Sequence, residues 1–217
     1  MHPRFQNVEL NPSKQHVLEG IEKHGWSVMN VQDSSGKPGW SYTIGLFETY
    51  GHPEVIICGM EVDNRQRILN WIGNNAQKKN PFIADQEHDW VLDGYKCWSK
   101  PVEKKWYSHL IGFARWFYGY DNDKFPCLQA IYPDNAGTYP WQEESSYSDE
   151  QPLLYETDLV KARMLHYLSD EELVKEEWPF ACNPHTRVFV SRCVLGTDPS
   201  DSRRGYCLCR FSGSQPS

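Results

Sequence analysis

Trp40-Ser41-Tyr42-Thr43-Ile44-Gly45-Leu46, then Gly51-His52-Pro53-Glu54, then the apolar run Val55-Ile56-Ile57-Cys58-Gly59: this stretch decides the fold. Trp40 to Leu46 reads as a strand that ends near a glycine. Residues 54 to 60 read as a second strand, and its continuous apolar run predicts burial on both faces. The connection from Phe47 to Pro53 reads as a loop. It gathers hydroxyl, imidazole and carboxylate groups beside two strand ends.

On the amino-terminal side, Trp26 to Gln32 alternates and reads as the antiparallel partner of Trp40 to Leu46. Asp33 to Gly39 supplies the turn. Before it, Asn11-Pro12 opens a helix. Asn caps free N–H groups, Pro suits the first helical position, and Val17, Leu18 and Ile21 form one stripe that Gly25 closes. Residues 1 to 10 read as a loose lead-in.

On the carboxyl-terminal side, Asp63 with Gln66 three residues on suggests a capping box. A helix follows, carrying Ile68, Leu69, Ile72 and Ala76 on one side, and Asn80-Pro81 closes it. Trp90 to Cys97 reads as a strand with Gly94 at a bend, and Val102 to Trp106 as another. Ser108 to Tyr118 reads as a buried helix ending at Gly119, with a strand as the alternative for so short an apolar run, and Phe125 to Tyr132 as a strand leading into the turn from Pro133 to Gly137. Residues 138 to 157 hold Glu143, Glu144, Asp149 and Glu150 and read as an acidic surface loop. Helices are expected over Asp158 to Tyr167 and from Ser169, and a strand over Arg187 to Leu195, before an irregular tail. The sum is an α+β fold, a mostly antiparallel curved sheet with packed helices.

The chain has 217 residues, a formal net charge of −7 and 14% aromatic residues. One domain of about 150 residues with an extension, or two small domains, fits this length. The negative charge argues against nucleic-acid binding, which needs a basic stripe to release counterions. Lys100 to Lys105, the nearest basic run, is interrupted by Pro101 and Glu103. No apolar run reaches the ~20 residues of a membrane helix, and Met1 to Asn11 lacks the apolar core of a secretory leader, so neither membrane insertion nor export is expected. The seven cysteines are odd in number and most stand alone in apolar runs, which suggests reduced core thiols and a cytoplasmic protein.

Several blocks together carry a resemblance. They are His24-Gly25-Trp26-Ser27-Val28, Ser41 to Leu46, Gly51 to Gly59, Ala114-Arg115-Trp116-Phe117-Tyr118-Gly119, and Leu128 to Trp141, closing near Gln151-Pro152-Leu153-Leu154. In this order they resemble the bacterial domain of unknown function 4262, over about residues 13 to 155. The resemblance implies an α+β domain and brings no established chemistry. It divides the chain into a lead-in (1–12), a family-like domain (13–155) and an extension (156–217). His185 to Leu195 resembles a segment of longer relatives whose continuation is absent here, so the extension reads as an incomplete or divergent second module. Tyr42 to Leu46 with Pro53-Glu54 is also similar, over some twenty residues, to the flavin-reductase-like split barrels. That likeness implies a flavin near the hairpin and a split-barrel-like sheet.

The candidate ligand-binding residues are Trp40, Tyr42, Thr43, His52, Glu54, Asp134 and Trp141. His52 can serve as acid, base or ligand with Glu54 orienting it, or it can simply shape the turn with Pro53. Thr43 and Gly45 allow a ligand to approach the backbone, or mark a tight crossing; no phosphate-loop motif supports the first. Asp134 either receives a ligand or caps its own turn. Trp26, Trp40, Tyr42, Trp116, Tyr132 and Trp141 are core residues, a few of which can line a pocket for a planar ligand. Cys182-Asn183-Pro184-His185 has ligand-like spacing and Cys207-Leu208-Cys209 adds two thiols, but the pairs are separated and Pro184 constrains the first, so no metal is expected. A Cys58–His52 nucleophile pair is disfavoured by the buried strand around Cys58.

Three functions follow. The first is a cytoplasmic protein that binds a small molecule or cofactor through the first hairpin, the His52 loop and the Asp134 loop. The second is a flavin-dependent oxidoreductase of split-barrel type. The third is a protein-binding immunity or regulatory module whose partner meets the loop from Glu143 to Glu150.

Overall fold

A computed structural model describes residues 3–6, 9–31, 39–120, 123–147 and 150–168. Helix α1 (Pro12–His24) begins where the Asn11 side chain accepts the Lys14 N–H at 2.9 Å, and it ends at Gly25, which turns left-handed at φ +90°. Strand β1 (Ser27–Val31) pairs antiparallel with β2 (Trp40–Ile44), Ser27 opposite Ile44 and Val31 opposite Trp40. The turn expected between them lies, apart from Gly39, outside the described residues.

The chain after β2 departs from the sequence reading. Gly45 takes φ +106°, and Leu46 starts a short helix, α2 (Leu46–Tyr50), in place of a loop. The left-handed glycine stops the strand, and a carboxylate described below accepts the first N–H groups of the helix. Strand β3 (Glu54–Cys58) is buried along its whole length, as its apolar run predicts. Helix α3 (Val62–Gln77) starts from Glu61 without a side-chain cap, so Asp63 is not the cap. Gly59 and Met60, at φ +69° and +42°, turn the chain earlier, and Asp63 falls in the first turn. Its negative charge still favours that end of the helix.

The next strand is two strands: β4 (Gln86–Leu92) and β5 (Tyr95–Pro101) form an antiparallel hairpin, with Leu92 opposite Tyr95 across Asp93-Gly94. Val102 to Trp106 is not a strand. The Val102 and Glu103 N–H groups are taken by Cys127 and Leu154 carbonyls, and Lys104–Trp106 coils into a 3-10 turn. The helix expected over Ser108 to Tyr118 is split into α4 (Tyr107–Leu110) and α5 (Gly112–Tyr118). The break falls at Ile111, where the Leu110 carbonyl turns to accept the Trp40 indole N–H at 2.8 Å. Strand β6 (Cys127–Ile131) follows.

The sheet runs β1-β2-β3-β6-β5-β4. Every pair is antiparallel except β3 with β6, where Glu54 stands opposite Cys127 and Ile57 opposite Ala130. The mostly antiparallel α+β expectation holds. The sheet is open, with β1 and β4 at its edges among the described residues, so the split-barrel-like closure is not found. Leu69 and Ile72 of α3 cover one face with Val55, Ile57, Leu128, Ala130 and Cys97. On the other face, α5 reaches Tyr42, whose hydroxyl accepts the Phe113 N–H at 3.3 Å.

That second face also holds the segment expected to be a surface loop. Gln151, Leu153 and Leu154 are buried. The Gln129 side chain donates to the Pro152 carbonyl at 2.6 Å and accepts the Leu154 N–H at 3.0 Å. Gln151 returns the pattern, accepting the Tyr132 N–H at 3.1 Å and donating to its carbonyl at 2.9 Å. Two side-chain amides thus act as short lengths of strand. Beyond them, turns and a 3-10 turn at Met164–His166 replace the expected helix, because Arg163 turns left-handed at φ +56°; Leu159, Ala162 and Met164 are still buried. The lead-in is not loose either: Phe5 is buried with its ring 4.8 Å from that of Trp116. The helix from Ser169, the strand over Arg187 to Leu195 and the last four cysteines lie outside the described residues.

Replacing Gln151 with Leu leaves the Tyr132 N–H and carbonyl buried without their partners. Each orphaned group costs about 1–3 kcal/mol. Urea unfolding of Gln151→Leu should therefore show a stability loss of roughly 2–5 kcal/mol; a loss under about 1 kcal/mol would refute this anchoring role.

Candidate functional site

Glu54 begins β3 with its side chain buried, 1% exposed. One carboxylate oxygen accepts the Gly45 N–H at 2.8 Å, the Phe47 N–H at 3.1 Å and the Tyr118 hydroxyl at 2.5 Å. The other accepts the Thr43 hydroxyl at 2.6 Å, and that hydroxyl in turn accepts the Val55 N–H at 2.8 Å. Burial pushes the Glu54 carboxyl upward from its usual range, and the Thr43, Tyr118, Phe47 and Gly45 donors pull it back. This carboxylate is the group that receives the first turn of α2. Thr43, Gly45 and Glu54 therefore do meet, and they occupy one another.

His52 sits just before β3 and is also buried. Its Nε2 accepts the Phe82 N–H at 2.9 Å, which leaves the proton on Nδ1, donated to the Pro53 carbonyl at 2.6 Å. Glu54 does not orient it. His52 instead pins the chain between α3 and β4. His88, on β4, faces this segment, its Nε2 3.0 Å from the Ile83 carbonyl and its ring 4.4 Å from that of Phe82. Burial lowers the His52 pKa from its usual value.

Trp40 and Tyr42 are tied to the helices that cover them, through the Leu110 carbonyl and the Phe113 N–H. Trp141 is half-buried, stacked on Tyr139 at 4.7 Å and edge-on to Trp98 at 6.2 Å. Cys58 is fully buried and its thiol is pushed up to about 12, which leaves it a poor nucleophile.

Asp134 lies away from His52. Parallel pairing puts the starts of β3 and β6 together, and His52 precedes the first while Asp134 follows the end of the second. The two residues are at opposite ends of the sheet. The Asp134 carboxylate accepts N–H groups of Ala136 and Thr138 at 2.9 Å, and the N–H and hydroxyl of Ser146 at 3.0 Å. Those donors, led by Ser146 and Thr138, bring its carboxyl down to about 2. Asp134 shapes its loop and ties it to the following segment.

The loop it shapes forms one wall of a cleft of about 290 Å³. Met60 lines it from the turn after β3, Asn64 from the first turn of α3, Asp93 and Tyr95 from the β4–β5 turn, and Tyr132 and Asn135 from the end of β6. Beside it lies Arg65, 1% exposed, which sequence reasoning missed. Its guanidinium donates to the Ser41 hydroxyl at 3.0 Å and to the carbonyls of Gly59, Met60 and Val31 at 2.9, 2.6 and 3.3 Å. The available signal was spacing, since Arg65 shares the helical stripe of Leu69, Ile72 and Ala76. Among the described residues, no group of three or more His, Cys, Asp or Glu side chains can hold a metal ion, and no helix is long and apolar enough to cross a membrane.

These features define an α+β domain built on an open, mostly antiparallel sheet with one central parallel pair. Residues 20–146 match the family model described as a domain of unknown function, DUF4262. The match covers more than half of the 217 residues, and the chain belongs to this family. Neither the curated proteins nor the solved structures give a match.

Two outcomes follow from the site. Glu54→Gln sets an amide NH₂ against groups that all donate, and should lower stability by roughly 2–4 kcal/mol in urea unfolding; an unchanged midpoint would refute the hub. The second concerns pH. Neutral His52 is favoured in the folded state, so its contribution is present above the ordinary histidine value of about 6.5 and is lost as pH falls below it. Comparing unfolding midpoints at pH 7.5 and 5, wild type should lose more stability than His52→Gln, which keeps an acceptor and cannot take a proton. Equal losses would show that His52 does not carry the effect.

Proposed function

We propose that the protein binds a small organic molecule in the cleft at the carboxyl ends of β3 and β6. The observation that carries this is topological. Two adjacent parallel strands leave the sheet in different directions, β3 into α3 and β6 into the Asp134 loop, and a cleft of about 290 Å³ opens between their connections. Ligands of open sheets with parallel strands bind at such divergences. The volume stands near the lower end of small-molecule sites, about 300 Å³. Of the candidate residues, Asp134 belongs to this reading as the group that fixes the cleft wall; Trp40, Tyr42, Thr43, His52 and Glu54 hold the scaffold. The described thiols Cys58, Cys97 and Cys127 are free and buried, which supports a reducing, cytoplasmic setting.

The test is native mass spectrometry of freshly purified protein, followed by thermal-shift screening of the full chain against amino acids, amines, sugars, nucleosides and flavins. A retained adduct or a stabilising compound is expected, and Asn135→Trp, which fills the cleft from an exposed position, should abolish it while melting near wild type. No adduct and no stabilisation by any class would overturn the proposal. Binding that survives Asn135→Trp would move the site elsewhere.

A further inference from the structure

The lining of this cleft is uneven in charge. Asp93 and Glu150 are its acidic residues, Asn64 and Asn135 its amides, and Tyr95, Tyr132 and Tyr147 its aromatic residues; among the described residues no Lys, Arg or His lines it. Arg65 lies close by, and its donors are directed to Ser41 and to the Gly59, Met60 and Val31 carbonyls. The cleft is therefore a poor receptor for phosphates and carboxylates. A carboxylate beside several π faces is the arrangement that receives an ammonium or guanidinium group.

A second observation comes from Tyr132. It is 4% exposed, its ring lines the cleft 5.7 Å from that of Tyr147, and its hydroxyl is buried with no hydrogen-bond partner among the described residues. A methyl group on Gly59 would stand 2.6 Å from that hydroxyl, so the glycine leaves the phenol its place. A buried phenol without a partner is uncommon, and a bound molecule is one way in which such a group is completed.

We infer that the ligand of the cleft is a small organic cation, a primary amine or guanidino compound, whose charged head meets Asp93 and the tyrosine rings and whose body lies over Met60, Leu92 and Pro133. This inference rests on the cleft being the binding site.

Three probes of one shape separate the charge from the site: benzylammonium, benzyl alcohol and benzoate, titrated into the full-length ¹⁵N-labelled protein. Benzylammonium should shift amides near Met60, Asn64, Asp93 and Asn135, and bind roughly tenfold more tightly than benzyl alcohol, the scale of a cation–π contact with a carboxylate nearby. Benzoate should bind least. Asp93→Asn, at an exposed turn position, should fold normally and remove most of that preference. If benzyl alcohol or benzoate binds the cleft as well as the cation, the charge inference fails and the cleft stands. If none of the three perturbs the cleft amides, and the library screen is also silent, both fail. A cation that binds only outside the cleft overturns the inference as well.

Discussion

The Glu54 carboxylate is the constraint on which the amino-terminal half of this fold depends. A carboxylate that is 1% exposed is tolerated only when its oxygens are supplied with donors, and here they come from β2, the β2–α2 junction and α5. The same four contacts fix the left-handed turn at Gly45, start α2 and hold Tyr118 against the sheet. The residue expected to orient His52 is thus the joint between a strand, two helices and a turn.

Arg65 is its counterpart at the other end of the β2–β3 pair. It too is buried, and it donates to a hydroxyl and to backbone carbonyls. Acid and base each meet local dipoles, Glu54 at the start of β3 and Arg65 beyond its end. One end of the sheet is closed by this arrangement around Glu54 and His52. The other is left with the cleft, bounded by Met60, Tyr132 and the loop that Asp134 holds.

What the sequence showed was what local pattern can encode. The Asn11 cap, the Gly25 stop, the β1–β2 hairpin and the buried β3 are all written in neighbours a few residues apart. The β4–β5 hairpin was equally local, in Asp93-Gly94 between two strand-forming runs, and went unrecognised because Gly94 was read as a bend. The parallel pairing of β3 with β6 leaves no local trace, since its partners are over seventy residues apart. The site follows the same division. His52 and Asp134 were visible as loop residues, whereas the partners that occupy them were not: the Phe82 N–H is thirty positions from His52. The cleft was illegible because its walls come from four separate segments. Gln129 and Arg65 did leave a mark, as polar residues inside apolar patterns.

The position of β6 has a consequence for how the chain acquires its structure. β1, β2 and β3 form one antiparallel ribbon, β4 and β5 form another, and β6 is the strand between them. Neither ribbon contacts the other through the sheet until residues 127–131 slot in. Both ribbons are made of sequence-local pairings, which form early and fast, while the closing strand must satisfy a parallel neighbour and an antiparallel one together. A chain emerging amino end first holds two half-sheets with exposed inner edges before it holds their bridge. Folding is then gated by a single insertion, and the interval before it is when these edges are open to the wrong partner.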